Sequence, residues 1–135
     1  MELIHIKESD APVIAGGHFT FNEFYKPLFG THGEFDMPLC FVNALEVFRK
    51  HIGLHFQQVI PLTVTSVYRP ADPSWSPHKT GNAVDFESSR GIRWAEVIEF
   101  ITNEMKNWAN SEMIQEVLQT GTTVILHENG CIHIS

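Results

Sequence analysis

The sequence predicts an α+β domain: a small antiparallel sheet with helices packed on it. Three observations carry this expectation. Two stretches, beginning near Pro38 and Ile92, repeat apolar residues with helical period. A run rich in Val, Thr, Ile and Tyr lies between them at Ile60–Tyr68. The chain then closes on two β-rich runs joined by Glu128-Asn129-Gly130, and Asn-Gly is the preferred pair for a two-residue hairpin turn. The order is helices, strand, loop, strand, helix, hairpin, which fits an antiparallel rather than a parallel sheet. The 135 residues form one domain over 1–135, with no repeat or linker in the sequence.

Each element has its own signal. Thr20 and Glu23 have the spacing of a capping box, and Phe19 and Phe24 that of a hydrophobic staple. This helix is short, because Pro27, Gly30 and Gly33 follow. Pro38 suits the first turn of a second helix running to about Gly53, with Phe41, Leu45, Phe48 and Ile52 as its stripe. In the strand Ile60–Tyr68, Ile60, Leu62 and Val64 alternate. Arg69–Gly81 is a loop rich in Pro, Ser and Asp, and Ala83–Phe86 is a short strand. Ile92 to about Asn110 reads as the longest helix, with Ala95, Ile98, Ile101, Met105 and Trp108 on one face. Ser111 can cap a further turn or two.

Composition narrows the function. Hydrophobic residues make up 43% of the chain and charged ones 19%, which excludes a disordered segment. Nine basic against 16 acidic side chains leave a formal charge of −7 with no Lys/Arg cluster, so a nucleic-acid partner is not expected. No apolar run is long enough for a membrane span, so no membrane partner is expected either. No signal peptide is visible at Met1–Asp10. Cys40 and Cys131 are expected to stay reduced. The unusual count is histidine, with eight in so short a chain.

With Asn129 and Gly130 as the two turn residues, Glu128 faces Cys131 and Leu126 faces His133. Residues two apart on a strand share a face. Glu128, Cys131 and His133 are therefore expected on one side of the hairpin, and His127 with Ile132 on the other. Upstream, His78 closes a loop and Asp85 follows seven residues later on a strand. The two converge if Gly81 permits a tight turn. With His133 they offer two imidazoles and a carboxylate, a set that suits zinc and leaves a fourth position for water. By itself this spacing is a weak signal, since many histidines generate such pairs by chance.

Three ordered motifs strengthen it. Thr65-Ser66-Val67-Tyr68-Arg69-Pro70, Ser76-Pro77-His78-Lys79-Thr80-Gly81-Asn82-Ala83-Val84-Asp85 and Cys131-Ile132-His133-Ile134-Ser135 resemble the signature of the D-alanyl-D-alanine metallopeptidases. That family includes D,D- and L,D-carboxypeptidases, murein endopeptidases and phage endolysins. Its pattern runs S-x-Y-R, S-x-H-x-x-G-x-A-x-D and a closing H-[IV]-S. Phe19-Thr20-x-x-Glu23-Phe24 and Met37-Pro38 are similar to the small endolysin-type members, so the resemblance covers about residue 18 to the end.

The resemblance implies a zinc-dependent peptidase acting on peptidoglycan stem peptides or cross-links. It implies His78, Asp85 and His133 as Zn2+ ligands, Arg69 as the stabiliser of the developing oxyanion, and Ser76 as a contact beside the first ligand. The chemistry it implies is metal-assisted hydrolysis, in which zinc acidifies a water and a carboxylate takes its proton. Many members carry that base three residues before the last ligand, where this chain has Gly130. Glu128 is instead similar to the glutamate on the preceding strand in the hedgehog domain and in smaller endolysin-like members. Tyr68 and Trp75 flank the proposed site and either line a substrate cleft or pack on their own domain. Cys131 serves as a small apolar wall, and Arg69 read without its motif is only a strand-end cation. His5, His18, His32, His51 and His55 have solvated or capping positions. A monomer is expected, and the resemblance further implies a protein cytoplasmic until released or associated with a phage, acting on the cell wall. The alternative is a non-enzymatic zinc domain with a binding or structural role, for example in a phage particle.

Overall fold

A computed structural model describes residues 1–27, 33–126 and 130–135, with backbone only at 125 and 126. Among them are three α-helices and two small antiparallel sheets. The first sheet pairs β1 (Leu3–Ile6) with β2 (Phe35–Pro38). Neither strand is expected from the sequence: each is four residues long, too short for alternation to declare itself. The second sheet has the order β3 (Leu62–Ser66), β4 (Val84–Ser88), β6 (Ile132–Ile134), β5 (Val124–Leu126).

The capping box at Thr20 forms, with the Thr20 amide donating to Glu23 Oε2 at 2.7 Å. It opens a single 3-10 turn over Phe21–Glu23, and the staple pair Phe19 and Phe24 meet at 6.4 Å between ring centroids. Helix α1 (Leu39–Phe56) begins one residue after Pro38, which ends β2 and takes the N-cap position. It runs past Gly53 and stops where Gln57 turns left-handed, at φ 53°. The predicted stripe Phe41, Leu45, Phe48 and Ile52 is buried throughout.

Helix α2 (Trp94–Lys106) starts later than the sequence suggests, because Arg90 and Arg93 both adopt positive φ. Its buried residues are Val97 and Ile101, with Ile98 and Met105 packed beside them. Ala95 and Trp108 are not on that face: both are exposed, and Trp108 sits in a separate 3-10 turn. Val97, which the predicted stripe leaves out, is fully buried in their place. Helix α3 (Glu112–Gln119) is capped as expected, Ser111 Oγ accepting from the Ile114 amide at 3.1 Å. Its Glu116 accepts from Lys50 at 2.6 Å and His51 at 3.0 Å, joining α3 to α1. Cys40 and Cys131 form no disulfide.

The sheet has two chemically distinct faces. Val84, Phe86, Ile132 and Ile134 turn inward and are fully buried, with Phe86 meeting Phe48 of α1 at 5.1 Å. Asp85 and His133 alternate with them and therefore stand on the other face. Strand β3 keeps Leu62 and Val64 inward, then carries a bulge between Val64 and Ser66 that returns Val67 to the core.

The hairpin register differs from the predicted one by a single residue. Leu126 lies opposite Ile132, not His133, and Ile125 lies opposite His133. Turn chemistry suggested a two-residue loop, but the pairing leaves a longer connection. In a sheet a one-residue slip exchanges the faces, so the alternation that favoured Glu128 over His127 no longer does so.

Phe48 joins α1 to the inner face of the sheet. Phe48→Ala is expected to cost about 3–5 kcal/mol, read as a lower denaturant midpoint with native circular dichroism.

Candidate metal centre

The site begins with a cross-strand pair. β4 and β6 place Asp85 directly opposite His133, and the His133 Nδ1–H donates to Asp85 Oδ1 at 2.7 Å. His78 arrives from a 3-10 turn, Pro77–Thr80, that ends at Gly81 with φ 76°. Gly81 is required there twice over. Its φ is left-handed, and a Cβ would stand 3.0 Å from both the Asp36 carbonyl oxygen and the Phe35 ring. The tight turn expected between His78 and Asp85 is thus present, pressed against β2.

The three side chains are buried, at 3% exposure for His78, 8% for Asp85 and 6% for His133. One ligand atom from each lies within 4.8 Å of the others, and among the described residues they are the one group able to hold a metal ion. Cys131 is outside it. Donors bound to zinc at about 2.0–2.1 Å in a tetrahedron stand about 3.3 Å apart, and His78 Nε2 is 3.2 Å from Asp85 Oδ2.

The tautomer of His78 supports the same fit. Its Nδ1 is 2.8 Å from the Val67 carbonyl oxygen, which can only accept, so Nδ1 carries the proton. Nε2 is then the ring nitrogen that faces the Asp85 carboxylate, at 3.2 Å. The two groups meet in a buried site and are held together by a cation between them, a proton on Nε2 or a bound metal ion.

Burial alone would raise the Asp85 carboxyl, but hydrogen bonds from His133 and His78 outweigh it and hold the group well below the usual carboxylate range. A carboxyl that is more acidic folded than unfolded stabilises the fold above its unfolded value of about 3.9. That contribution is lost as pH falls toward the folded value.

Arg69 is tied directly beside this group. Its amide donates to the His78 carbonyl at 2.8 Å, and its Nε donates to Asp72 Oδ2 at 2.9 Å. Ser76 Oγ donates to the same oxygen at 2.8 Å. Asp72 is the residue sequence reasoning missed; the signal available was its position three residues after Arg69. Tyr68 stacks on Phe35 at 4.9 Å, which packs it on its own domain, while Trp75 is 81% exposed. The structure therefore brings His78, Asp85, His133, Arg69 and Ser76 together. Glu128 and His127 lie outside the described residues.

The remaining described histidines have other partners. His5 bridges Glu34 and Asp36, His18 contacts Glu46, and His55 stacks on Phe100. No helix among the described residues is long and apolar enough to cross a membrane. No protein-family model, curated protein or solved structure matches the chain.

Two outcomes follow for the isolated protein. Purified without chelator, it should carry about one metal ion per chain, and His133→Ala should weaken binding at least tenfold, measured by competition with a chromogenic chelator. For the metal-free protein, Asp85→Asn should flatten the loss of stability below about pH 4, followed by urea unfolding at successive pH values.

Proposed function

We propose that this chain is a zinc metallopeptidase of the D-alanyl-D-alanine peptidase type, hydrolysing peptide bonds in peptidoglycan stem peptides or cross-links. The observation that carries the reading is the convergence of buried His78, Asp85 and His133, with Arg69 hydrogen-bonded to the backbone of the first of them. Two imidazoles and one carboxylate leave a tetrahedral ion one open position, the arrangement of a catalytic rather than a closed structural site. When bound, zinc supplies Lewis acidity and a water acidified toward neutrality.

The protein's own groups have complementary tasks. Val67 fixes the His78 ring through its carbonyl, and strand pairing fixes Asp85 and His133. Arg69 offers a permanent positive charge for the oxyanion of the scissile carbonyl. Glu128 is the proposed base, taking a proton from the nucleophile and returning it to the leaving amine. The support for it is the resemblance to glutamates on the corresponding strand of related hairpins. Glu87 is the other carboxylate on the Asp85 side of β4, two residues along.

A second reading rests on one observation: a cation held by His78, Asp85 and His133 would join a turn and two strands, as a structural or binding domain of a phage particle could use it. Incubation of the zinc-loaded protein with purified muropeptides, followed by mass spectrometry, separates the two. The peptidase reading expects a defined cleavage product, with Glu128→Gln slowed about a hundredfold or more and Glu87→Gln unaffected. Absence of product from every muropeptide tested would leave the structural reading in its place. Full activity in Glu128→Gln would move the base elsewhere.

A further inference from the structure

The loop between β3 and the His78 turn is held by polar contacts that the metal centre itself does not need. Asp72 Oδ2 accepts from two donors, Arg69 Nε at 2.9 Å and Ser76 Oγ at 2.8 Å. The Asp72 amide donates to the Arg69 carbonyl at 3.0 Å, closing a turn. Lys79, next to His78, extends back across that turn, and its Nζ donates to the carbonyls of Pro70 at 2.9 Å and Asp72 at 3.1 Å. Four side chains thus fasten the segment 69–72 to the segment 76–79, while none of their bonds reaches Asp85 or His133.

The effect on Arg69 is specific. Its side chain is partly exposed and would otherwise sample many rotamers. Asp72 engages it through Nε alone, and among the described residues Nη1 and Nη2 have no hydrogen-bond partner. A guanidinium held this way keeps its terminal edge, the edge that carries two parallel N–H groups, available for an anionic oxygen or a carboxylate. Hydrogen bonding by Ser76 and Arg69 also keeps the Asp72 carboxyl below its usual range, so it remains a carboxylate throughout the neutral region.

We infer that Asp72 is a positioning residue, which acts through Arg69 by holding its Nε so that the two terminal nitrogens face the reacting carbonyl or a substrate carboxylate, with Lys79 bracing the turn that carries both. This rests on the peptidase reading above. Ser76 on this account is a second strut on Asp72 rather than an independent contact with substrate.

The test compares zinc-loaded wild type, Asp72→Ala, Arg69→Ala and the double variant. Muropeptide hydrolysis is followed together with the Arg69 Nε–H resonance in 15N-edited NMR. Asp72→Ala is expected to bind one zinc with unchanged affinity and to lower kcat/KM roughly tenfold to a hundredfold. In the Arg69→Ala background the same substitution should have almost no further effect, because its partner is gone. The Arg69 Nε–H, protected in wild type, should exchange rapidly in Asp72→Ala, and Asp72→Asn should restore part of both signals.

An equal loss from Asp72→Ala with or without Arg69 would overturn the inference, as would loss of zinc from the variant. If wild type turns over no muropeptide, the peptidase reading falls and the resonance alone decides the positioning role. Loss of Nε–H protection in Asp72→Ala, with zinc retained, supports it, and an unchanged Arg69 signal overturns it.

Discussion

A buried carboxylate between two imidazoles sets the terms for the rest of this small fold. Asp85 receives the His133 Nδ1–H at 2.7 Å and stands 3.2 Å from His78 Nε2, all three shielded from solvent. A charge in that position is tolerated only with close partners of the right polarity. Meeting that condition requires β4 and β6 to pair in one register, since only Asp85 opposite His133 brings those atoms together. It also requires the chain between β3 and β4 to return His78 to the same face, which the left-handed Gly81 turn accomplishes against Phe35 and Asp36. Sheet register, turn chemistry and the β1–β2 sheet are thereby coupled to one carboxylate.

The division of labour across the sheet keeps this costly arrangement affordable in structural terms. On the inner face, Phe86 and Ile132 pack against α1 and its neighbours with no exposure. Asp85 and His133 stand on the outer face, and beside them the Val67 backbone carbonyl satisfies the His78 ring N–H. Stability and chemistry thus draw on alternate residues of the same two strands.

Most of the architecture was legible in the sequence, because the elements that matter carry strong periodic or capping signals. The stripe Phe41, Leu45, Phe48 and Ile52 and the cap at Ser111 are local features, and both appear as expected. So does the convergence of His78, Asp85 and His133, which ordered motifs announce. What was not legible depends on partners distant in sequence. β1 and β2 are four-residue strands defined by each other, and the face of α2 is set by what it covers rather than by its own apolar count. The hairpin slipped by one residue because Asn-Gly describes a preferred turn, while register is decided by the burial of Ile132 and Ile134. Asp72 escaped notice since an acid in a loop has no pattern until Arg69 and Ser76 are seen on either side of it.

The bulge in β3 bears on how this chain can change length. Leu62, Val64 and Val67 all turn inward, and the phase between the last two is kept by one supernumerary residue. The same residue sets the count to the Val67 carbonyl, which holds His78, and to Arg69 two positions on. β3 therefore works as a measuring stick read from both ends. A deletion at Thr65 would regularise the ladder, yet deliver the Val67 carbonyl and Arg69 out of phase with the turn they serve. Surface loops elsewhere in such a domain accept insertions and losses freely, whereas this strand, only half-buried at Thr63, Thr65 and Ser66, has its length written into the site.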